Sequence, residues 1–408
     1  MNTGVSSASG APDIVYLGAE HLEKGVFSRS QAIAWQLARW SRVLYANVDF
    51  CSVFHYSFDR LFRRDIEHAV GLHAVDQNLW ALDCLTPVPY ALMRKFNRLN
   101  LWAATPQLRR AIPRLKFKDY VLWLGSPLMT PMVDHFPAST VCYDYMDDFP
   151  GFFQGRARRI ASELEKRLLE RCDFVIATSE ALSQKARRLN PNVHLVRNGV
   201  APGHYDGKPL LDPPELRSLP RPVLGYIGSV GPWFDLNLFA ELAGRYAHGS
   251  LVVVGGLSQI AAPELSKLPN VHFLGWKPHR ELPQYLGAFD VCLIPFLIND
   301  LTFAVNPIKF YEHCAAGKPT VSMRLPELEP YRDICYLADS PEEFISAADR
   351  ALRESDQPER AAELGRRRRR VAEENSWEAR GRQLQAILSS RNDSADARLH
   401  AGTALALD

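Results

Sequence analysis

The stretch Asn306-Pro-Ile-Lys-Phe-Tyr-Glu-His-Cys-Ala-Ala-Gly-Lys-Pro319 lies between two apolar runs, Val291-Cys-Leu-Ile-Pro-Phe296 and Thr320-Val-Ser-Met323. The order predicts strand, loop, short helix, Gly-Lys-Pro turn and a new strand. A loop that feeds a helix at the carboxyl end of a strand is where open α/β sheets bind anionic ligands. The helix N-terminus offers N–H groups without intrahelical acceptors and a partial positive charge. Lys309 falls in the first turn, where the helix dipole disfavours a cation. Its placement is favourable beside an anion such as a diphosphate. Glu312 follows three residues on, on the same face. A carboxylate there can accept hydrogen bonds from the two hydroxyls of a ribose. Spacing alone also fits an amphipathic helix with a solvated Lys and Glu.

The same alternation extends in both directions. Asp13–Gly18 and Val43–Asn47 read as strands around a helix at 31–40, a βαβ unit that implies a parallel sheet. Strands at 120–124, 140–145, 174–178 and 193–196 follow, with helices at 156–171 and after Ser179. Asn198-Gly199 and a proline-rich run to Pro222 read as a linker. The rhythm restarts with Val223–Gly228, a helix at 235–246 and strands at 250–254 and 271–274. The fold class is therefore α/β, with two Rossmann-like doubly wound domains: 1–200, a linker at 201–222, and 223–375. The tail 391–408 is rich in Ala, Ser and Asp and reads as disordered. The first strand–helix turn lacks Gly-x-Gly-x-x-Gly, which argues against a nicotinamide or flavin enzyme.

At 408 residues the chain suits two domains rather than one core. Apolar content of 47% and charged content of 23% mark an ordinary globular protein. A net charge of +2 gives no general attraction to nucleic acid, and no nucleic-acid partner is expected. Seven scattered cysteines without Cys-x-x-Cys fit reduced thiols in a cytoplasmic protein. Residues 1–12 do not resemble a signal peptide, and no apolar run is long enough to span a bilayer.

Residues 90–118 stand apart. They carry eight Lys or Arg, among them Arg94, Lys95 and Arg98, and no Asp or Glu. Tyr90, Phe96, Trp102 and aliphatic residues are interleaved. This composition fits a membrane-surface patch or an acceptor groove, each cation near anionic lipid adding roughly 1 kcal/mol. A surface helix pair with its apolar faces in the core is the alternative. Arg366–Arg370 reads first as a solvated helix face and second as a lipid or partner patch.

Asn306-Pro-x-Lys-x-Tyr-Glu followed by Ala-Ala-Gly-Lys-Pro319 resembles the donor-nucleotide site of glycosyltransferases of the two-Rossmann-domain GT-B architecture. Thr178-Ser179-Glu180, Asn198-Gly199-Val200, Tyr226-Ile-Gly228 and Val271-His-Phe-Leu-Gly-Trp276 match in order, so the resemblance covers most of 13–390. It points towards bacterial surface-polysaccharide enzymes of the teichuronic-acid and xanthan type. It implies a helix at 376–390 that crosses back to the first domain. It also implies nucleobase contacts from the backbone of Trp276 and Lys277, donor contacts at Asn306 and Lys309, and Glu312 on the ribose. The Gly228 loop adds backbone donors where a side chain would block approach. Core packing is the other reading of Trp276, and a plain strand-end turn that of Gly228. The loop from Gly25 to Arg29 would face the domain cleft; Arg29 in solvent beside the helix cap is the alternative.

One departure is informative. Many retaining members of this group carry a second Glu eight positions before the ribose Glu, where this chain has Ala304. That leaves room for an inverting mechanism, which needs a base. Asp147 and Asp148, in a loop after a strand, are the candidates, with Asp147 preferred; one of them would be structural or cap the next helix. An isolated carboxylate pair is weak evidence for a metal, so no metal or other cofactor is expected. The expected activity is transfer of a sugar from a nucleoside-diphosphate donor, UDP foremost, to a glycan or lipid-linked acceptor in surface-polysaccharide assembly. The enzyme would be cytoplasmic and peripheral to the membrane. A nucleotide-sugar epimerase of the same fold would use Lys309 and Glu312 without an acceptor. A non-catalytic scaffold that binds nucleotide sugars would explain Ala304.

Overall fold

The computed structural model describes residues 11–18, 20–23, 27–47, 71–87, 94–138, 140–205, 212–256 and 265–404, with side chains described except at 94–97 and 392–404. Gly25, Cys51 and the side chains of Arg94 and Lys95 thus lie outside the described residues. The chain divides into two compact units, 1–197 with 378–408, and 198–377.

The first unit is built on strands β1 (Asp13–Gly18), β2 (Val43–Asn47), β3 (Gly71–Asp76), β4 (Leu79–Asp83), β5 (Tyr120–Leu124), β6 (Thr140–Tyr145), β7 (Phe174–Ala177) and β8 (Val193–Leu195). Their order across the sheet is β3-β4-β2-β1-β5-β6-β7-β8. All neighbours pair in parallel except the β3–β4 hairpin. Leu17 of β1 sits opposite Ala46 on one side and Leu124 on the other. The central strands are buried along their whole length, which is why they read as near-continuous apolar runs. Helices α1 (Arg29–Leu37), α2 (Arg94–Arg114), α3 (Gly155–Arg171) and α4 (Glu180–Arg187) complete this part of the unit. Ser179 caps α4, its hydroxyl accepting from the Leu182 N–H.

The second unit has strands β9 (Val223–Ile227), β10 (Ser250–Val254), β11 (Val271–Phe273), β12 (Val291–Ile294), β13 (Thr320–Met323) and β14 (Tyr336–Ala338). They form an all-parallel sheet in the order β11-β10-β9-β12-β13-β14. Gly225 of β9 lies opposite Val252 and Cys292, so the strand order reverses between β9 and β12. Helices α5 (Leu236–Arg245), α6 (Leu282–Ala288), α7 (Ile308–Ala315), α8 (Pro341–Leu352) and α9 (Pro358–Glu374) accompany it. The Asp235 carboxylate caps α5 by accepting from the N–H groups of Asn237 and Leu238. Leu238, Phe239, Leu242 and Ala243 then form its buried stripe. Each such large side chain contributes on the order of 1.5–3 kcal/mol of transfer free energy.

Two expectations change. The helix that returns to the first unit, α10 (Trp377–Ala404), does not end at 390. The segment read as a disordered tail continues it, consistent with helix-forming Ala395, Ala397, Ala401 and Ala404. Leu384 and Leu388 bury one side of α10, and the Arg391 guanidinium stacks 4.5 Å from the Phe174 ring centre. The Arg366–Arg370 run is also not uniformly solvated. Arg368 is 1% exposed and makes a bidentate pair with the buried Glu354, at 2.8 and 2.5 Å, and donates to the Ile334 carbonyl. Arg366, Arg367 and Arg370 pair at the surface with Glu363, Asp333 and Glu374.

Candidate active site

Open parallel sheets place ligands at the carboxyl ends of the strands where the strand order reverses. In the second unit that point lies between the loops after β9 and β12. β9 runs into Gly228, whose φ of +137° favours glycine. A Cβ at Gly228 would stand 2.4 Å from Lys309 Cε and 2.8 Å from its Nζ. The lysine therefore lies against bare backbone. Its ammonium is 5.5 Å from the Tyr226 ring centre and 5.7 Å from that of Phe296. Among the described residues, no carboxylate comes within 4 Å of it to form an ion pair. Gly255, after β10, stacks on the same turn; a Cβ there would meet the Gly228 carbonyl at 2.1 Å. A backbone cradle without side chains thus faces a cation at the start of α7.

Lys309 is the second residue of α7, and no side chain caps the helix. Glu312, one turn on, is 13% exposed and lies 3.8 Å from His279 Nε2. Burial pushes its carboxyl up, but His279 and Lys309 outweigh burial and hold it below its ordinary value. His279 stacks flat on His204, ring centres 4.5 Å apart, and the His279 carbonyl lies 2.8 Å from His204 Nε2. Burial lowers the His204 pKa. Neither His204 nor His279 was among the residues the sequence suggested. Only their spatial stacking beside Glu312 reveals them.

Trp276 is 52% exposed, so it is not a core residue. The Lys277 ammonium is held by Glu215 at 2.7 Å, over the Tyr285 ring. Asn306 is turned into the protein. It is 1% exposed; its amide donates to Tyr311 and Glu327 and accepts from the Asn198 N–H. Its carbonyl accepts from the Asn198 side chain at 2.6 Å. The Asn306 side chain is thus a strut for the loop into α7.

In the first unit, Asp147 and Asp148 follow β6. Asp148 is 8% exposed and bound by Lys185 at 2.5 Å, and Lys185 also pairs with buried Glu165. An anion held this way is a structural partner, which argues against Asp148 as a base. Asp147 is at intermediate burial. Asp144, inside β6, is fully buried and accepts from Arg29 Nε at 2.9 Å and from Tyr16 Oη. Arg29, 3% exposed, donates also to the Arg197 carbonyl. Its burial excludes the solvated reading, and the buried Asp144 carboxylate holds its Nε. Arg98 and Trp102, on α2, are exposed, Trp102 by 73%. Among the described residues, no three His, Cys, Asp or Glu are placed to hold a metal ion, and no helix is long and apolar enough to cross a membrane.

Residues 221–354, which contain the Gly228–Lys309–Glu312 site, match the family model of glycosyl transferases group 1. This segment is similar to the group 1 glycosyl transferases. The chain is also 27% identical over 282 residues to a Bacillus subtilis (strain 168) protein named as teichuronic acid biosynthesis glycosyltransferase TuaH, covering 64% of this chain and 70% of that one. Among solved structures it resembles sucrose-phosphate synthase from Thermosynechococcus elongatus, with a TM-score of 0.71 and 15% identity over 94% of this chain and all of that one. It also resembles Anabaena HepE in complex with UDP, with a TM-score of 0.62 and 15% identity over 93% of this chain and all of the other. The fold is therefore that of the GT-B glycosyltransferases, and the similarity to group 1 glycosyl transferases lies in the unit that holds the Gly228–Lys309–Glu312 site.

Proposed function

We propose that the protein transfers a sugar from a nucleoside-diphosphate donor, a UDP-sugar, to a glycan or lipid-linked acceptor during assembly of a surface polysaccharide. The observation that carries this reading is the Lys309 ammonium lying on the bare backbone of Gly228, with ionised Glu312 one turn away. The UDP held by the HepE neighbour and the name of the Bacillus relative support the donor and the pathway class. Lys309 and backbone N–H groups stabilise the charge that develops on the leaving diphosphate. Glu312, oriented by His279, accepts from the ribose hydroxyls, and Trp276 lies beside the nucleobase. In an inverting reaction Asp147 takes the proton of the acceptor hydroxyl.

The reaction runs without a metal, so transfer persists in excess EDTA. The enzyme works in the cytoplasm at the inner face of the membrane, where the exposed Trp102 makes peripheral contact. Asp147→Asn lowers transfer roughly 10²–10⁴-fold while UDP binding persists. Asp148→Asn destabilises the first unit and leaves the turnover of folded enzyme within a few-fold. Equal loss of turnover in both variants contradicts the choice of base. Turnover of a UDP-sugar without acceptor into a stereoisomer would assign the chain to the epimerases.

A further inference from the structure

In the first unit a cavity of about 600 Å³ runs between α2, the 3-10 segment Pro127–His135 and α3. Its wall along α3 uses residues from Arg156 to Arg171. The fifteen helical steps between them make it about 22 Å long. The floor includes Thr130, Pro131, Ile160 and Leu164. Five arginines line it, but their charges are not equivalent. Towards the end of α3, Arg167 is neutralised by Glu163 and Arg171 by Asp134. Arg156 and Arg159, near its start, and Arg98, from α2, have no carboxylate within 4 Å among the described residues. The first turn of α3 contains no acid to offset them. Arg98 also borders a second cavity of about 510 Å³ that includes Leu101, Trp102 and Pro106.

We infer that this groove binds a phosphate ester carrying an apolar chain: the lipid phosphate of the acceptor. Three guanidiniums without a carboxylate partner among the described residues suit the oxygens of one phosphate or diphosphate, which arginine binds in a fork. The apolar floor and the neutralised far end suit a hydrocarbon chain laid along α3. A bilayer surface needs basic residues on a face that can meet a plane, whereas these line a concavity. The inference deepens the proposed function by naming the acceptor's chemistry, and it rests on that reading only for the word acceptor; the binding itself is independent of donor and transfer.

The test is calorimetry of the full-length protein with farnesyl phosphate below its micelle concentration. Farnesol, inorganic pyrophosphate and vesicles of equimolar phosphatidylglycerol and phosphatidylcholine are run in parallel. Farnesyl phosphate binds, and more tightly than farnesol or pyrophosphate. Arg98→Ser/Arg156→Ser/Arg159→Ser weakens it roughly tenfold or more, the scale of losing charge-assisted hydrogen bonds. Because these side chains are exposed, the variant keeps its fold, and its unchanged UDP-induced thermal shift verifies this. Leu164→Glu, which blocks the floor, weakens the farnesyl ester but not pyrophosphate. Farnesol binding as tightly as its phosphate, or the triple variant binding like the wild type, overturns the inference. Binding to vesicles alone overturns it too, and makes the surface a membrane contact. If UDP binds but farnesyl phosphate does not, the groove is wrong and the donor site stands.

Discussion

Replacing Gly228 with alanine perturbs the donor cradle at one methyl group. Two effects follow from the geometry. At φ +137° an L-residue costs about 1–3 kcal/mol of backbone strain. The new Cβ would also lie 2.4 Å from Lys309 Cε, closer than carbon atoms approach, so the lysine must swing away. That removes a charge-assisted hydrogen bond to the diphosphate, worth about 1.5–3 kcal/mol, or roughly ten- to hundredfold in affinity. Calorimetry with UDP measures this in Gly228→Ala, Lys309→Ala and the double variant. If the methyl acts by displacing the lysine, Gly228→Ala has little further effect once Lys309 is alanine, and the coupling energy is comparable to the single effect. Additive losses would refute the reasoning, because the glycine would then act through its backbone alone.

Arg368→Met leaves the Glu354 carboxylate buried without its partner and destabilises the second unit by about 3–5 kcal/mol, read from its denaturant transition, whereas Arg368→Met/Glu354→Leu recovers most of the loss; equal destabilisation in the two variants contradicts this. Burial lowers the His313 pKa to about 3, so below its ordinary value of 6.5 the unfolded chain binds a proton that the folded chain does not. Stability from this group is full above pH 6.5 and falls by about 1.4 kcal/mol per pH unit below it. His313→Gln flattens that part of the pH–stability profile, and an unchanged slope in the variant would show that other groups set it.

The alternation of apolar runs and helical segments was legible because parallel strands buried on both faces need no polar residues. The stretch 306–319 was legible for a related reason: helix, glycine and lysine fall at fixed spacing around one strand end. What the chain order hides is partnership over distance. Arg29 and Asp144 are 115 residues apart, and Lys185 meets Asp148 and Glu165 from 37 and 20 residues away. Nothing local distinguishes Asp148, held in that pair, from Asp147. Arg368 looks like its neighbours Arg367 and Arg369, and only the packing of α9 buries it. Asn306 sits in the most recognisable motif of the chain, yet its amide serves the loop. The β3–β4 hairpin went unread for a local reason: its Asp76-Gln-Asn-Leu79 turn lacks the glycine that marks tight hairpins.

The central claim is that Lys309 and the Gly228 backbone form a nucleoside-diphosphate site. Calorimetry of UDP against wild type and Lys309→Ala tests it most directly, with GDP, dTDP and NAD as competitors. The account predicts that UDP binds the wild type, that NAD does not, and that Lys309→Ala weakens UDP roughly tenfold or more while the fold is retained. UDP binding that is unchanged in Lys309→Ala, or binding of NAD alone, would contradict it.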